Sequence, residues 1–310
     1  HGPTGLKKIA RHINILTGVL SQEAEKYGYK QLNNHFFDTV HLVLPEQVKT
    51  DRLRQLAEKR RMNFRYIDAR HIGISLDETT ALSDVNAILE ILAEAAGKDF
   101  KVFVCDPEEC SKITTFPEGL HRKSDYLRHP NFNSYHSETE MMRYMKKLEN
   151  RDLALNRTMI PLGSCTMKLN AATEMFGLSW PEFNALHPFV PVEQAQGYRE
   201  MIGSLERDLC EITGFAGMSF MPNSGASGEY SGLMVIRAYH ESRGESHRNV
   251  TLIPSSAHGT NPASAVMAGM KVVVVNCDEH GNIDMEDLRK KAEEHRDHLA
   301  AIMVTYPSTH

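Results

Sequence analysis

The sequence predicts a mixed α/β chain, a small α+β lobe followed by an incomplete doubly wound parallel sheet. Three observations predict it. Strand and helix patterns alternate through the first hundred residues. An aperiodic stretch marked by Pro107, Pro117 and Pro130 then separates two halves. Beyond residue 250, short apolar runs alternate with helical segments, as parallel strands covered on both faces do.

The first lobe reads in order. Leu6, Ile9, Ala10, Ile13, Leu16, Thr17 and Leu20 recur at helical spacing and give an amphipathic helix. Residues 37–44 alternate into a strand. Residues 46–60 form a second helix with Val48, Leu53 and Leu56 as core positions. Residues 64–76 suggest a strand pair bent near Gly73. Asp77 offers an N-cap for a third helix carrying Leu82, Val85, Ile88, Leu89 and Leu92. No glycine-rich loop or acid–base pair stands in this lobe, so it is read as a support, residues 1–130 with the arm included.

The second half, residues 131–310, opens on a helix over 137–148. Ser137 and Glu140 have the spacing of a capping box. Helices follow over about 193–213 and 226–243. The closing section is a strand at 250–254, a helix after Asn261, a valine-rich strand at 271–276, a helix at 284–298 and a strand at 299–306. The sheet looks unfinished, and because the chain starts at His1 any targeting peptide is unreadable.

Composition excludes several classes. Lys and Arg total 35 against 40 Asp and Glu, and the one clear basic run, Lys59-Arg60-Arg61, ends a helix. That is a solvated helix terminus rather than a nucleic-acid surface. The apolar run at 272–275 falls far short of the roughly 20 residues a membrane span needs. Five cysteines without a C-x-x-C pair make neither a disulfide framework nor a zinc site, and point to a reducing compartment. His136-x-Glu138-x-Glu140 and His295-x-x-His298 read as solvated helix faces, so no metal is expected.

Four segments could carry chemistry. Pro222-Asn223-Ser224-Gly225-Ala226-Ser227-Gly228-Glu229 runs into a helix whose free amides and positive dipole end could cradle a phosphate. An ordinary capped helix with glycines for tight packing fits the same pattern. Ser255-Ser-Ala-His258-Gly-Thr-Asn-Pro262 follows a parallel strand, where ligands of open α/β sheets sit. His258 could stack there on a flat ligand, or be structural. Thr305-Tyr-Pro-Ser308-Thr309 ends another strand. Gly163-Ser164-Cys165-Thr166 is read as a shaped loop, since nothing local would activate the thiol.

These segments together resemble the glycine-decarboxylating P-protein family of the glycine cleavage system. Tyr135-His-Ser-Glu-Thr-Glu, Met159-Ile-Pro-Leu-Gly-Ser-Cys-Thr-Met-Lys168, Pro222-Asn-Ser-Gly-Ala226, Ser256-Ala-His-Gly-Thr-Asn-Pro262 and Thr305-Tyr-Pro-Ser-Thr309 occur in that family's order. The resemblance reaches back through Phe36-Phe-Asp-Thr39 and Gly73-Ile-Ser-Leu-Asp-Glu-Thr79, so it covers nearly the whole chain. Met221, Ser227 and Val266 depart from the expected pattern.

The resemblance implies a chain spanning the junction of two tandem halves, each similar to a fold-type I enzyme of pyridoxal 5'-phosphate. It implies Ser224, Gly225 and Ala226 as the phosphate cradle and His258 as the residue stacking on the pyridine. Asn223, Ser164, Cys165, Thr166, Thr305, Ser308 and Thr309 would lie near the active site. The expected reaction is decarboxylation of glycine, with the aminomethyl group passed to the lipoyl arm of H-protein. The Schiff-base lysine is expected downstream, so no catalytic residue is assigned here and the piece alone is expected to be inactive. A homodimer or paired halves is expected, with no nucleic acid and no membrane span. The motif style points to the mitochondrial matrix, with the bacterial cytoplasm as alternative. Another fold-type I enzyme, or a non-catalytic dimerisation or docking module, remains the competing reading.

Overall fold

In the computed structural model the described residues are 1–154, 156–159 and 171–305. They form two compact units, His1–Ala154 and Leu155–His310. The helix expected to open the second half therefore lies in unit 1.

Unit 1 has the element order α1 (Gly2–Lys26), β1 (Lys30–Gln31), β2 (Thr39–Val43), α2 (Thr50–Lys59), β3 (Arg65–Tyr66), β4 (His71–Ser75) and α3 (Leu82–Ala95). The one-turn α4 (Pro107–Cys110) and then α5 (Glu138–Glu149) follow. Its sheet is antiparallel, ordered β1-β2-β4-β3. Val40, Leu42, Ile72 and Ile74 alternate onto one face, as a period of two requires. That face meets Leu16, Val19 and Leu20 of α1, Leu53 and Leu56 of α2, and Val85, Ile88, Leu89 and Leu92 of α3 in one continuous core.

Several local expectations shift. The turn between β3 and β4 falls at residues 67–70, where Asp68 accepts from the Arg70 amide. Gly73 instead sits inside β4, paired with His41 and Arg65. Asp77 accepts from the amides of Thr79 and Thr80 and closes a turn of its own. The third helix starts later, where Asp84 accepts from the Ala81 amide. Arg60 is no free terminal charge, since it pairs with Glu90 and Glu94 of α3. Cys105 and Cys110 are joined by a disulfide, which the cysteine pattern did not suggest. The capping box on α5 forms as expected, Ser137 Oγ accepting from Glu140 N and Glu140 accepting from Ser137 N.

Unit 2 contains the one-turn α6 (Pro181–Asn184), α7 (Gln196–Thr213), α8 (Gly225–Ser242), β5 (Val250–Pro254), α9 (Thr260–Met267), β6 (Lys271–Val275), α10 (Met285–Glu294) and β7 (Leu299–Ile302). The three strands are parallel, in the order β6-β5-β7. Leu233 of α8 and Ala265 of α9 pack with Ile253 on one side of the sheet. Leu288 and Ala292 of α10 pack with Val250 and Leu252 on the other. Helices thus cover both faces, but only the central β5 is buried throughout. β6 and β7 keep exposed positions, Val274 and Ile302 among them. They flank the described sheet, so complete coverage of every strand is not realised.

The α9–β6 link is held tightly. Gly269 has φ +75°, a conformation that favours glycine. Its amide donates to Val266 O, and the Met270 amide reaches back to Ala265 O. The Arg237 guanidinium lies over this turn, donating to Ala268 O at 2.8 Å while its Nε holds Glu241. A Cβ on Gly269 would collide with that guanidinium.

Candidate functional site

The glycine–serine segment becomes the N-terminus of α8. Ser224 is its N-cap, its Oγ accepting from Ser227 N at 3.2 Å and meeting the Ser227 hydroxyl at 3.1 Å. The amides of Gly225 and Ala226 come before the first intrahelical bond and have no acceptor among the described residues. No carboxylate stands in the first turn. Around the position of a Gly225 Cβ, no described atom beyond its chain neighbours and its own helix backbone lies within 4 Å, and its φ is not positive. Tight packing therefore does not explain this glycine. Two unpaired amides at the positive end of an 18-residue helix are a place for an anion. Asn223 is exposed just before the cap.

His258 is exposed in the turn after β5. Its Nδ1 accepts from the Thr260 amide at 3.1 Å and also meets the Thr260 hydroxyl. An Nδ1 that accepts leaves the proton of the neutral ring on Nε2. The ring is thereby oriented by the start of α9, with its faces open to solvent.

Other groups share the carboxyl ends of the strands. Asn261, 3% exposed, donates to the Thr305 hydroxyl at 3.0 Å and so joins the ends of β5 and β7. The Cys277 thiol after β6 lies 3.3 Å from Ser256 Oγ. Burial pushes that thiol's pKa up, but hydroxyl and backbone contacts from Ser255 and Ser256 outweigh it and hold the pKa below the usual value. Ser264 donates to Glu229 at 3.2 Å, tying the second turn of α8 to α9.

The structure thus brings His258 and Thr305 to one edge through Asn261, and ties α8 to that region through Glu229. No hydrogen bond joins the Ser224–Ala226 amides to His258 among the described residues. Ser164, Cys165, Thr166, Ser308 and Thr309 lie outside the described residues. Sequence reasoning missed Thr260, Asn261, Cys277 and Glu229. The signal for two of them was present, since a Thr-Asn pair just after a strand is a hydroxyl and an amide at a ligand-facing edge. Glu229 and Cys277 gain their partners only through the tertiary fold.

Comparison with known proteins shows what the chain is similar to. Residues 1–92 match the glycine cleavage system P-protein family. Over its full length the chain is 55% identical to glycine dehydrogenase (decarboxylating) of Christiangramia forsetii, covering 32% of that protein. It is 56% identical to the protein of the same name from Cupriavidus metallidurans, covering 31% of it. With the Vibrio cholerae protein the identity is 54%, over 32% of that protein. The chain spans about a third of the length of the curated relatives it matches. These relatives are bacterial, so the mitochondrial expectation finds no support in them. No described helix is long and apolar enough to cross a membrane.

Proposed function

We propose that the chain belongs to the glycine cleavage system P-protein family and that its unit 2 forms one side of a pyridoxal-phosphate pocket for glycine decarboxylation. The carrying observation is the start of α8, where the Gly225 and Ala226 amides have no acceptor among the described residues. Residues present there fit the group: two amides and a helix dipole for phosphate, and a flat ring at a strand's carboxyl end for the pyridine. Ser224 fixes the first turn by capping, so the two amides keep their direction. Thr260 fixes the tautomer and tilt of His258, and Asn261 keeps Thr305 at the same edge.

Pyridoxal phosphate, when bound, accepts the electron pair released as glycine's carboxylate leaves as CO₂. This chain's residues would bind and orient. No lysine of the described residues is given the covalent role: Lys271 opens β6 at its amino end, and Lys291 donates to Val274 O and Asp287. By the same reading the fold is that of fold-type I enzymes, the aminomethyl group passes to lipoylated H-protein, and the seam between tandem halves lies near residue 130. The exposed apolar stripe of α7, with Met201, Leu205 and Ile212, supports a dimeric or paired-half assembly.

Gly225→Asp tests the cradle. A carboxylate in the first turn favours the helix by about 0.3–1 kcal/mol while repelling phosphate. The expected result is an unchanged or higher melting temperature with pyridoxal-phosphate affinity reduced by roughly tenfold or more. Unaltered affinity removes the cradle assignment. His258→Ala should keep the fold and weaken cofactor binding, read by the cofactor's absorbance on titration, and equal affinity would end the stacking role.

A further inference from the structure

We propose that a separate cleft in unit 1 binds a nucleotide-class ligand, a heteroaromatic ring carrying phosphate. The cleft has a volume of about 1220 Å³ and lies between the first half of α1 and the chain from 114 to 133. That is somewhat above the usual range for one small ligand, about 300–1,000 Å³. It leaves room for a base, a sugar and more than one phosphate.

The charge of the cleft is local. Residues 1–154 hold 23 Lys and Arg against 22 Asp and Glu. The lining instead carries Lys7, Arg11, Arg122, Lys123 and Arg128 against Asp125 alone. Lys7 and Arg11 are four apart and share one face of α1. Lys7 and Arg128 have no ion-pair partner among the described residues, whereas Lys123 lies 3.9 Å from Glu118. These groups suit phosphate.

Aromatic groups line the same cleft. Phe116 lies 4.6 Å from the His121 ring and 6.0 Å from Phe37, which is 41% exposed. Both walls are tied together. Tyr126 donates to Pro3 O at 2.8 Å, and the buried Asn14 donates to Phe37 O at 2.9 Å. Cations and rings in one cleft match a ligand that carries both phosphate and a planar ring. An acidic polypeptide would satisfy only the first. The residues that line the cleft all belong to unit 1, so the site stands apart from the decarboxylase reading.

Equilibrium dialysis of the 310-residue chain against ADP, pyrophosphate, adenosine and a labelled glutamate-rich peptide tests this. ADP should bind with a Kd below about 1 mM at low salt, and more weakly as salt rises. Pyrophosphate and adenosine should each bind roughly tenfold less tightly. The double variant Lys7→Glu/Arg128→Glu, with its fold checked by circular dichroism, should lower ADP affinity by at least about tenfold. Should that variant misfold, Lys7→Gln and the salt series on the unaltered chain carry the decision. Absence of saturable ADP binding, affinity indifferent to salt or charge reversal, pyrophosphate equal to ADP, or tighter binding of the peptide would each overturn the proposal.

Discussion

The two units differ in how they use apolar residues. In unit 1 an antiparallel sheet and three helices seal one continuous core, and Leu20, Leu42, Leu53 and Leu92 are all but inaccessible. In unit 2 the parallel sheet divides its interior into two small clusters, and no residue of α7 or α10 is fully buried. Residues of hydrophobic type are plentiful in both. The difference shows that helical periodicity marks which face is apolar, while the neighbours decide whether that face is covered.

The comparison breaks most easily in the core. Leu92→Ala should cost about 2–5 kcal/mol, since a sealed site cannot collapse around the loss. Val274→Ala, at a residue 51% exposed, should cost less than about 1 kcal/mol. Equal costs in denaturant titrations would remove the distinction.

A second difference concerns alkaline pH. Both tyrosines with raised pKa values lie in unit 1. Burial pushes Tyr66 up to about 12, with Arg54 opposing and Glu58 adding, and it pushes Tyr29 up further. The Tyr29 hydroxyl donates to Leu92 O at 3.0 Å. A raised folded-state value favours the protonated form, so this contribution is whole below the ordinary tyrosine pKa near 10 and is lost as pH rises beyond it. Unit 1 should therefore lose stability between roughly pH 10 and 12. Tyr66→Phe should flatten that loss, read as unfolding midpoint against pH; an unchanged slope would refute it.

The smallest effect sharpens the other side. Ser224→Ala removes the cap of α8 and should cost about 0.5–2 kcal/mol. Its stability effect should stay below that of Leu92→Ala while its effect on pyridoxal-phosphate affinity is larger. The reverse order would make Ser224 structural only.

Elements with strong periodicity were legible in the sequence: α1, α3, α5, α8, β2 and the three parallel strands lie close to where their patterns put them. Core positions Val48, Leu53, Leu56, Val85 and Leu89 are buried as the spacing implies. Turn chemistry was less legible. Asp77 resembled a helix cap, but Thr79 and Thr80 capture it first, and Gly73 resembled a bend but lies within a strand. Such outcomes depend on competition between nearby donors, which a residue pattern does not rank. The region around His258 was legible in place but not in support. Its tautomer rests on an amide two residues away, and Thr305 is held by an asparagine 44 positions earlier in the chain. Pairings across that separation exist only once the sheet has formed.

The turn at Gly269 reaches further than its size. Immediately after it, Lys271 N donates to Asn249 O and β6 enters alignment with β5, Lys271 beside Val250. A slip of one residue there would turn every side chain of β6 to the opposite face. The glycine and the arginine laid across it thus act as a datum point, from which the heights of Ser256 and Cys277 at the far edge are measured. A methyl group at 269 would strain the turn through its positive φ and push against that guanidinium, at the point from which the alignment of β6 starts.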